Sequence, residues 1–379
     1  MQKDILKFKN GKFKIMLVGD LHEKYDLSVD NRKLKSEDGI RLLNKAADEI
    51  QPDLVVFLGD NSYSKTEGEM REVLKRIITP FSQRDIPFTT VFGNHDHDCQ
   101  KDVDLQTQMR LYNEYDNCLF YNDDDSITGC GNHNLTIKAS ASEDIIYNLW
   151  FIDSNNLCED KAVSKYDWVH YDQIKWYENK AEALKKANGG RIIPALLFQH
   201  IPVMEEYRLL REAKPWEYFD SVEGHSKMSD KRYMPGPALK GYLGEAPASP
   251  DVNSGQFDSW KKTGDIKGAF FGHDHMNDFT GYVDGIMLGQ CKTAGYQVYT
   301  DGGNSGVRVI TLDENNPDRI DTRFYYAKKD FKLKAGSLSP YMRHFTDRQD
   351  LKLKAAGAVC GFAAAVVTGV SVIRELKKH

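Results

Sequence analysis

Five short motifs in the sequence contain acidic, amide or imidazole side chains, and four of them begin with glycine. In chain order they are Gly19-Asp20-Leu21-His22, Gly59-Asp60-Asn61, Gly93-Asn94-His95-Asp96, His200 after the run IIPALLFQ, and Gly272-His273-Asp274-His275. Carboxylate, imidazole and amide groups together are the ligands that a cluster of divalent or trivalent metal ions requires. A neighbouring glycine allows a sharp turn and a close approach of the backbone. We therefore interpret the five motifs as parts of one metal site.

Taken singly, the motif residues also have ordinary structural interpretations. An aspartate can cap a helix, Asn94 can occupy a left-handed turn, and His200 can be a hydrogen-bonded core histidine. These interpretations do not account for an ordered set of five motifs. We predict that His97, two residues after His95, is a surface residue or a residue that supports a ligand, and not a ligand itself. Five other histidines lack partner spacing and are predicted to be solvated or structural: His133, His170, His225, His344 and His379.

The elements that must position these side chains alternate between strand and helix. Apolar runs predict strands at Phe13–Val18, Leu54–Leu58, Phe88–Phe92, 148–152 and 192–198, and helical spacing predicts helices at Ser36–Ile50, Glu67–Ile78 and 172–187. Ser36 is the predicted N-cap of the first helix. This alternation indicates a largely parallel sheet covered on both faces. Ligands in such sheets converge beyond the carboxyl ends of the strands, where the motifs lie.

The pattern changes in the second half of the chain. After Ala269, short strands and turns, among them 296–300, indicate a second and more antiparallel sheet. Between two motifs, residues 202–265 are rich in proline, glycine, serine and aromatic residues, and a long irregular insertion of this kind is usually functional. Its aromatic residues Trp216, Tyr218 and Phe219 either line a substrate mouth or pack the insertion.

The ordered pattern DxH…GDx…GNHD…H…GHxH resembles the calcineurin-like metallophosphoesterase superfamily over roughly residues 12–326. The segments FIDSN, QHIPVME and SPDVNSGQFDSWKKTGDIKGAFFGHDHMNDFTGYVDGI resemble the branch of fungal cell-cycle-regulator phosphatases and plant purple acid phosphatase-like proteins. The resemblance implies a four-layer α/β/β/α sandwich formed by residues 1–326, with the insertion at 202–265.

The resemblance also implies a binuclear centre of two divalent or trivalent ions, manganese, iron or zinc. Carried over by motif, Asp20, His22 and His275 hold the first metal, Asn94, His200 and His273 hold the second, and Asp60 bridges them. Purple acid phosphatases instead use a tyrosine three residues after the bridging aspartate, a position held here by Tyr63. Imidazole suits these metals, so we favour His22 as the ligand and Tyr63 as a residue that either packs nearby or supports a ligand.

The activity implied by the resemblance is hydrolysis of phosphate monoesters, phosphoproteins among them, by a metal-activated hydroxide. His95 would protonate the leaving oxygen or stabilise the transition-state charge, and Asp96 would orient His95. The partner is then a phosphorylated substrate. Two alternatives stay open: a phosphodiesterase acting on nucleotides or lipid headgroups, and a catalytically inactive, membrane-tethered binding scaffold. The presence of all seven ligand candidates and His95 favours an enzyme.

The composition of the chain bears on its binding partners and its cellular compartment. A net charge of −5 without a long basic run gives no support for a nucleic-acid-binding surface. The six cysteines form no CxxC pair, which fits free thiols in a reducing compartment. The charged N-terminal segment lacks the apolar core of a signal peptide, so we expect a cytoplasmic catalytic domain. The oligomeric state stays open.

The C-terminal end has a different character. Residues 355–373 read AAGAVCGFAAAVVTGVSVI, carry no charge and are flanked by lysine and arginine residues. Such a run is long enough to span a bilayer, and its small residues follow the spacing of packed membrane helices. We therefore predict a polar linker at 327–354 and a C-terminal transmembrane helix at 355–373 that anchors the domain to a membrane. The alternative is a buried helix rich in alanine and glycine.

Overall fold

The computed structural model describes residues 6–99, 103–334 and 352–358. The predicted mixed α/β class is confirmed. The strands are β1 (Lys12–Val18), β2 (Glu23–Lys24), β3 (Leu54–Phe57), β4 (Ser62–Tyr63), β5 (Phe88–Thr90), β6 (His133–Lys138), β7 (Ile145–Phe151), β8 (Ala195–Gln199), β9 (Leu210–Glu212), β10 (Val222–Glu223), β11 (Arg232–Pro235), β12 (Ile266–Phe271), β13 (Thr280–Val283), β14 (Ile286–Gln290), β15 (Gly306–Asp313) and β16 (Asp321–Tyr326). The helices are α1 (Arg32–Ile50), α2 (Glu67–Ser82), α3 (Leu105–Tyr112), α4 (Tyr171–Ala187) and α5 (Gln256–Thr263).

Two large sheets form the centre of the molecule. The first has the order β16-β15-β1-β3-β5, in which β1, β3 and β5 are parallel and β15 and β16 run antiparallel. The second has the order β13-β14-β12-β8-β7-β6, in which β14, β12, β8 and β7 are parallel and the two edge strands antiparallel. Each sheet therefore has a parallel centre whose strands end at one edge.

The sheets and helices form layers that share three apolar cores. One core joins α1, α2 and α3 to the outer face of the first sheet, through residues such as Leu43, Ile77 and Phe57. The second lies between the two sheets and contains Leu17, Val56, Phe198 and Phe270. The third core joins the second sheet to α4, α5 and part of the insertion. Because both faces of each sheet are covered, the central strands are rich in apolar residues on both faces.

The strands after Ala269 do not form the separate antiparallel sheet that the sequence predicted. β13 and β14 extend the second sheet, whereas β15 and β16 return to the first, where β15 pairs with β1. The predicted strand at 296–300 is also wrong, since these residues form bends between β14 and β15. Periodicity reports that a segment is extended but not which strand it will pair with.

Helix α1 begins four residues earlier than predicted, and Ser36 is not its cap. The residue before the helix is Asn31, which has a left-handed conformation (φ 58°) and makes no side-chain cap. Ser36 lies inside the helix, buried, with its hydroxyl donating to Glu23 Oε1 over 2.5 Å. A serine that looked like a cap is therefore a buried partner for a carboxylate.

The insertion between β8 and β12 is ordered by short elements. It contains a three-stranded sheet in the order β10-β11-β9 and several turns of 3₁₀ helix, and it ends in α5. Leu209, Val222 and Tyr233 attach it to the core around α4 and α5. The insertion is thus fixed against the second sheet, on the side where the strands end.

Most of the predicted C-terminal helix at 355–373 lies outside the described residues, which end at residue 358. Within the described part of the chain, none of the helices has the length and apolar character needed to cross a bilayer. The membrane anchor stays a prediction. The five cysteines in the described part, Cys99, Cys118, Cys130, Cys158 and Cys291, are free thiols, as expected.

Candidate metal centre

All five motifs lie at the carboxyl ends of parallel strands, where the two sheets meet. Asp20 follows β1, Asp60 follows β3 and Asn94 follows β5 in the first sheet. His200 and His273 follow β8 and β12 in the second. Because these strand ends face one another, side chains more than 250 positions apart in sequence, such as His22 and His275, come into contact. The sheet topology therefore assembles one site from both halves of the chain.

The first group of candidate ligands consists of Asp20, His22 and His275. Their ligand atoms lie within 4.8 Å of one another, and all three side chains are buried. His22 Nε2 is 3.3 Å from His275 Nε2, and His275 Nε2 is 3.6 Å from Asp20 Oδ1. One carboxylate and two imidazoles thus face a common point.

The second group consists of Asp60, His200 and His273, also buried and within 4.8 Å. His200 Nε2 lies 3.2 Å from Asp60 Oδ2 and 3.2 Å from His273 Nδ1. Asn94 joins this group, with its Oδ1 3.2 Å from His200 Nε2. The sequence prediction of Asn94, His200 and His273 as neighbours is therefore matched by their placement.

Asp60 contacts both groups. Its Oδ2 is 3.2 Å from His200 Nε2 and 3.5 Å from His22 Nε2, so one carboxylate oxygen faces a histidine of each group. The other oxygen, Oδ1, accepts a hydrogen bond from the backbone N–H of His95 over 2.7 Å. This is the position that a bridging ligand requires.

Backbone carbonyls fix which nitrogen of two histidines carries the proton. His200 Nδ1 donates to the carbonyl of Leu58 over 2.7 Å, and His275 Nδ1 donates to the carbonyl of Tyr299 over 2.9 Å. In the neutral rings the proton is then on Nδ1, and Nε2 presents a lone pair to the cluster. For His200 that lone pair points at the oxygens of Asp60 and Asn94, which have lone pairs of their own. Cations between these atoms would satisfy all of them, so the donor set fits two metal ions.

The electrostatics of the cluster agree with this interpretation. Burial lowers the pKa of His22 and of His273 well below the usual value, and it lowers that of His275 to about 4. These rings are therefore neutral, as metal ligands must be. Burial also acts to lower the pKa of His200, but the charges of Asp60 and Asp20 outweigh it and raise that pKa to about 10. In the absence of a cation, a proton on His200 neutralises the carboxylates, and a metal ion would replace it.

The conformation of the motifs is strained. Asp20, His22, Asp60 and His273 have left-handed backbone conformations, with φ of 47°, 46°, 52° and 71°. Non-glycine residues adopt this region rarely, and when they do it is often at functional sites, where the surrounding structure enforces it. Here the strained residues are four of the seven candidate ligands.

His22 rather than Tyr63 faces the candidate ligands. The Tyr63 ring lies in β4, where Lys24 Nζ is 4.8 Å from its centroid, a cation–π contact. His22 instead faces His275 and Asp60. This arrangement agrees with the choice made from the sequence.

The predicted role of Asp96 is wrong. Asp96 is buried and accepts hydrogen bonds from the backbone N–H groups of Asp60, Asn61 and Gly93, over 2.9, 3.2 and 2.8 Å. Burial, aided by the charge of Asp60, raises the pKa of this carboxyl group to about 7. Asp96 therefore fixes the loops that carry Asp60 and Asn94, and it does not orient His95.

The residue that orients His95 is Asp98. His95 Nδ1 is 2.5 Å from Asp98 Oδ2, and both side chains are about half exposed, at 53% each. The His95 ring also packs edge-on against His22, with centroids 5.3 Å apart. The other nitrogen of His95, Nε2, is left for a ligand in the cleft. Asp98 was missed because no motif spacing marks it.

A cleft of about 530 Å³ opens above the two ligand groups. His95 lines it together with His22 and Asp60, and Lys165 and His225 also contribute to its wall. His225, which the sequence assigned no role, thus comes from the insertion to the cleft wall. The aromatic residues of the insertion behave differently: Trp216 is 77% exposed, and neither it, Tyr218 nor Phe219 lines this cleft.

Comparisons with known proteins agree with the motifs. A family model described as "Calcineurin-like phosphoesterase" matches residues 13–277. An Arabidopsis thaliana protein named "Probable inactive purple acid phosphatase 14" is 28% identical over 367 residues, covering 84% of this chain and 85% of the relative. "Phosphatase DCR2" of Saccharomyces cerevisiae is 25% identical over 281 residues, covering 71% of this chain and 45% of the relative. The resemblance stated from the sequence is confirmed.

Solved structures support the fold. A dimetal phosphatase from Danio rerio superimposes with a TM-score of 0.51 at 10% identity, covering 83% of this chain and 96% of that one. The structure titled "GAP50 the anchor in the inner membrane complex of Plasmodium" has a TM-score of 0.51 at 12% identity, covering 92% and 95%. At such identities the likeness shows the fold alone.

Close packing at Gly59 generates a stability prediction. Gly59 has φ +90°, and a Cβ there would lie 2.6 Å from Gly93 N and 2.7 Å from His200 Nδ1. Gly190 has a similar φ of +83° with nothing within 4 Å of a Cβ. We expect Gly190→Ala to lower the free energy of unfolding by roughly 1–2 kcal/mol, the cost of the left-handed conformation. Gly59→Ala adds the clash and should lose about 3 kcal/mol or more.

Urea denaturation of both variants in the presence of a chelator measures this difference without a contribution from bound metal. Equal losses for Gly59→Ala and Gly190→Ala would show that the loops at Gly59 and Gly93 can separate without cost.

The position of Asp60 generates a prediction about metal content. Asp60→Asn removes the charge that faces both ligand groups, so we expect a purified variant with fewer than one metal ion per chain, against two for the unaltered protein. Elemental analysis after purification without chelators measures this. Asp98→Asn makes the same chemical change at an exposed carboxylate and should keep both ions. A full metal complement in Asp60→Asn would contradict the bridging assignment.

Proposed function

The chain belongs to the calcineurin-like phosphoesterase family, and we propose that it is a metal-dependent hydrolase of phosphate monoesters, phosphoproteins being one expected substrate class. The observation that supports this most directly is the fixed orientation of the imidazoles. His200 and His275 each donate to a backbone carbonyl, so their Nε2 lone pairs face the carboxylates of Asp60 and Asp20. Lone pairs of nitrogen and oxygen that face one another in this way are typical of a site that binds metal ions.

In this proposal the ligand sets are those derived from the motifs. Asp20, His22 and His275 hold one ion, Asn94, His200 and His273 hold the other, and Asp60 bridges them. When bound, the two ions supply Lewis acidity and lower the pKa of an attacking water. The chain's own contribution is to hold the ligands in the neutral or anionic state and in fixed positions before a substrate arrives.

His95 is the proposed general acid. Its Nδ1 is held by Asp98, which leaves Nε2 for the leaving oxygen of a substrate in the cleft. An imidazole held in this orientation can deliver a proton to the leaving oxygen. The backbone N–H of His95 is anchored to Asp60, which sets the distance between the acid and the ligand groups.

Two other functions are weighed against this one. Several relatives are named probable inactive phosphatases, a description that belongs to those proteins. A non-catalytic scaffold here would have no need for His95, yet the sequence contains His95 and all seven candidate ligands, and His95 lines the same cleft as His22, Asp60, His273 and His275. A phosphodiesterase acting on nucleotides or lipid headgroups would use the same metal centre. The preference for monoesters or diesters would then depend on the residues that line the cleft.

The proposed substrate class is tested with the purified full chain loaded with manganese. We expect fast hydrolysis of an aryl phosphate monoester and little hydrolysis of the matching bis-aryl diester. The physical reason is that the dianionic phosphate of a monoester matches two cations better than the monoanion of a diester. Faster diester cleavage would favour the alternative, and a metal-loaded protein that cleaves neither ester would favour the scaffold.

The role of His95 is tested separately. His95→Ala should keep both metal ions and lower kcat by about 10²-fold or more, because the leaving oxygen loses its proton donor. Asp98→Asn keeps the imidazole but weakens its orientation, so we expect a smaller loss, about tenfold. Steady-state kinetics with metal content measured on the same samples distinguishes these outcomes. Unaltered turnover in His95→Ala would remove His95 from the mechanism.

A further inference from the structure

A lysine, Lys165, lines the cleft that His95 also lines. Of the described residues that line the cleft, Lys165 is the one with a permanently cationic side chain, whereas several carboxylates, such as Glu223 and Glu245, line it as well. Within the described part of the chain no carboxylate forms an ion pair with the Lys165 ammonium group, whose hydrogen-bond partner is an imidazole. The ammonium group therefore has capacity left for an anion.

The structure holds this ammonium group in place from two directions. Lys165 Nζ lies 3.0 Å from His225 Nε2 and 5.0 Å from the centroid of the Tyr166 ring. The Tyr166 and His225 rings are stacked, with centroids 5.5 Å apart and an interplanar angle of 22°. Lysine side chains on a surface usually have rotational freedom, which costs entropy when they bind a ligand. Here part of that freedom is already lost.

His225 must act as the acceptor in this contact. An ammonium group can only donate, so His225 Nε2 presents its lone pair and the proton lies on Nδ1. Burial, together with the charge of Lys165, lowers the pKa of His225 to about 4, which keeps the ring neutral. The positive charge of the pair therefore stays on Lys165.

The backbone around Lys165 is fixed to the insertion. The Lys165 N–H donates to Asp251 Oδ2 over 3.3 Å, and the N–H of Lys227 donates to the other oxygen of the same carboxylate over 3.0 Å. Asp251 thus ties the loop between β7 and α4 to the segment that carries His225. Asp251 and His225 both belong to the insertion. The insertion therefore positions the Lys165 backbone through Asp251 and the Lys165 ammonium group through His225.

The Lys165 group is next to the ligand cluster but not part of it. The Tyr166 ring packs edge-on against His273, with centroids 4.5 Å apart and an interplanar angle of 88°. One aromatic ring therefore separates the ammonium group from a candidate metal ligand. A phosphoryl group seated over the metals would leave Lys165 facing a more distant part of the same substrate.

We propose that Lys165, supported by His225 and Tyr166, binds a second anionic group of the substrate, a carboxylate or a further phosphate, beside the phosphoryl group that is hydrolysed. This subsite rests on the proposed function, because the reacting phosphate defines the first position. Its consequence is selectivity for phosphate esters whose organic part carries another negative charge. Phosphate esters whose organic part is uncharged would bind through the metal centre alone.

The subsite is tested by equilibrium binding, which does not depend on turnover. The probes are phenylphosphonate and 4-carboxyphenylphosphonate, which are not hydrolysed and differ by one carboxylate. Calorimetry on the manganese-loaded full chain should give roughly three- to tenfold tighter binding of the carboxylated probe, the range for a charge-assisted contact at a partly exposed site. In Lys165→Met, a variant of similar length without the charge, the ratio of the two affinities should fall to about one. Lys165→Arg should keep most of it.

Lys75→Met serves as the matched control, because Lys75 is exposed on α2 and the variant has the same change in net charge. It should keep the full ratio. A second arm replaces the carboxylated probe with 4-phosphonophenylphosphonate and shows whether a carboxylate or a phosphate-like group is preferred. Equal affinity of the unaltered protein for phenylphosphonate and for the two probes with a second anionic group would overturn the subsite.

A parallel loss for both probes in Lys165→Met would also overturn it, because Lys165 would then contact the reacting phosphoryl group. Failure of the proposed function gives a different result. In that case the probes bind with the expected ratio, but the corresponding phosphate esters are not hydrolysed.

Discussion

The interaction on which the rest of the structure depends is the contact of one buried carboxylate, that of Asp60, with both sheets. One of its oxygens faces His200 from the second sheet and His22 from the first, and the other accepts a hydrogen bond from the His95 backbone. A buried anion is costly unless a cation compensates it, and here either a proton on His200 or bound metal ions can do so. The site is therefore most stable with metal bound, and binding of metal should hold the two sheets together at this edge.

The loops that carry the ligands are shaped by the same requirement. Left-handed aspartates and histidines turn the chain immediately after the strands, and glycines allow neighbouring loops to approach to contact distance. Asp96 is buried behind them and accepts hydrogen bonds from three backbone N–H groups, which holds these loops in fixed positions relative to one another. The cost of strain and buried charge at the site is offset by the apolar cores that flank and separate the sheets.

Features of the fold and the site that are marked by a short sequence pattern could be predicted, whereas those that depend on residues distant in sequence could not. The strands that precede the motifs are short apolar runs, so the C-terminal ends of β1, β3 and β8 were predicted to within one residue. The ligand candidates were found because their types and order are unusual together. Asp98 was not, since an exposed aspartate three residues after a histidine has no distinctive pattern. The roles of Ser36 and of the late strands were missed for another reason: both depend on partners far away in sequence, Glu23 for the first and β1 for the second.

The pairing of β15 with β1 has a consequence for how the protein is made. Lys12 and Asp313, which form a salt bridge across this pair, are 301 positions apart, and β1 is flanked by β15 on one side and β3 on the other. During synthesis one edge of β1 stays unpaired until almost the whole domain has left the ribosome, because its partner β15 is translated late. Contacts of such long range slow folding, and an unpaired apolar edge is prone to aggregate in the interval. We expect nascent chains of this protein to depend on chaperones until β15 is complete, and chains that end before Gly306 to be insoluble even though they contain every candidate metal ligand.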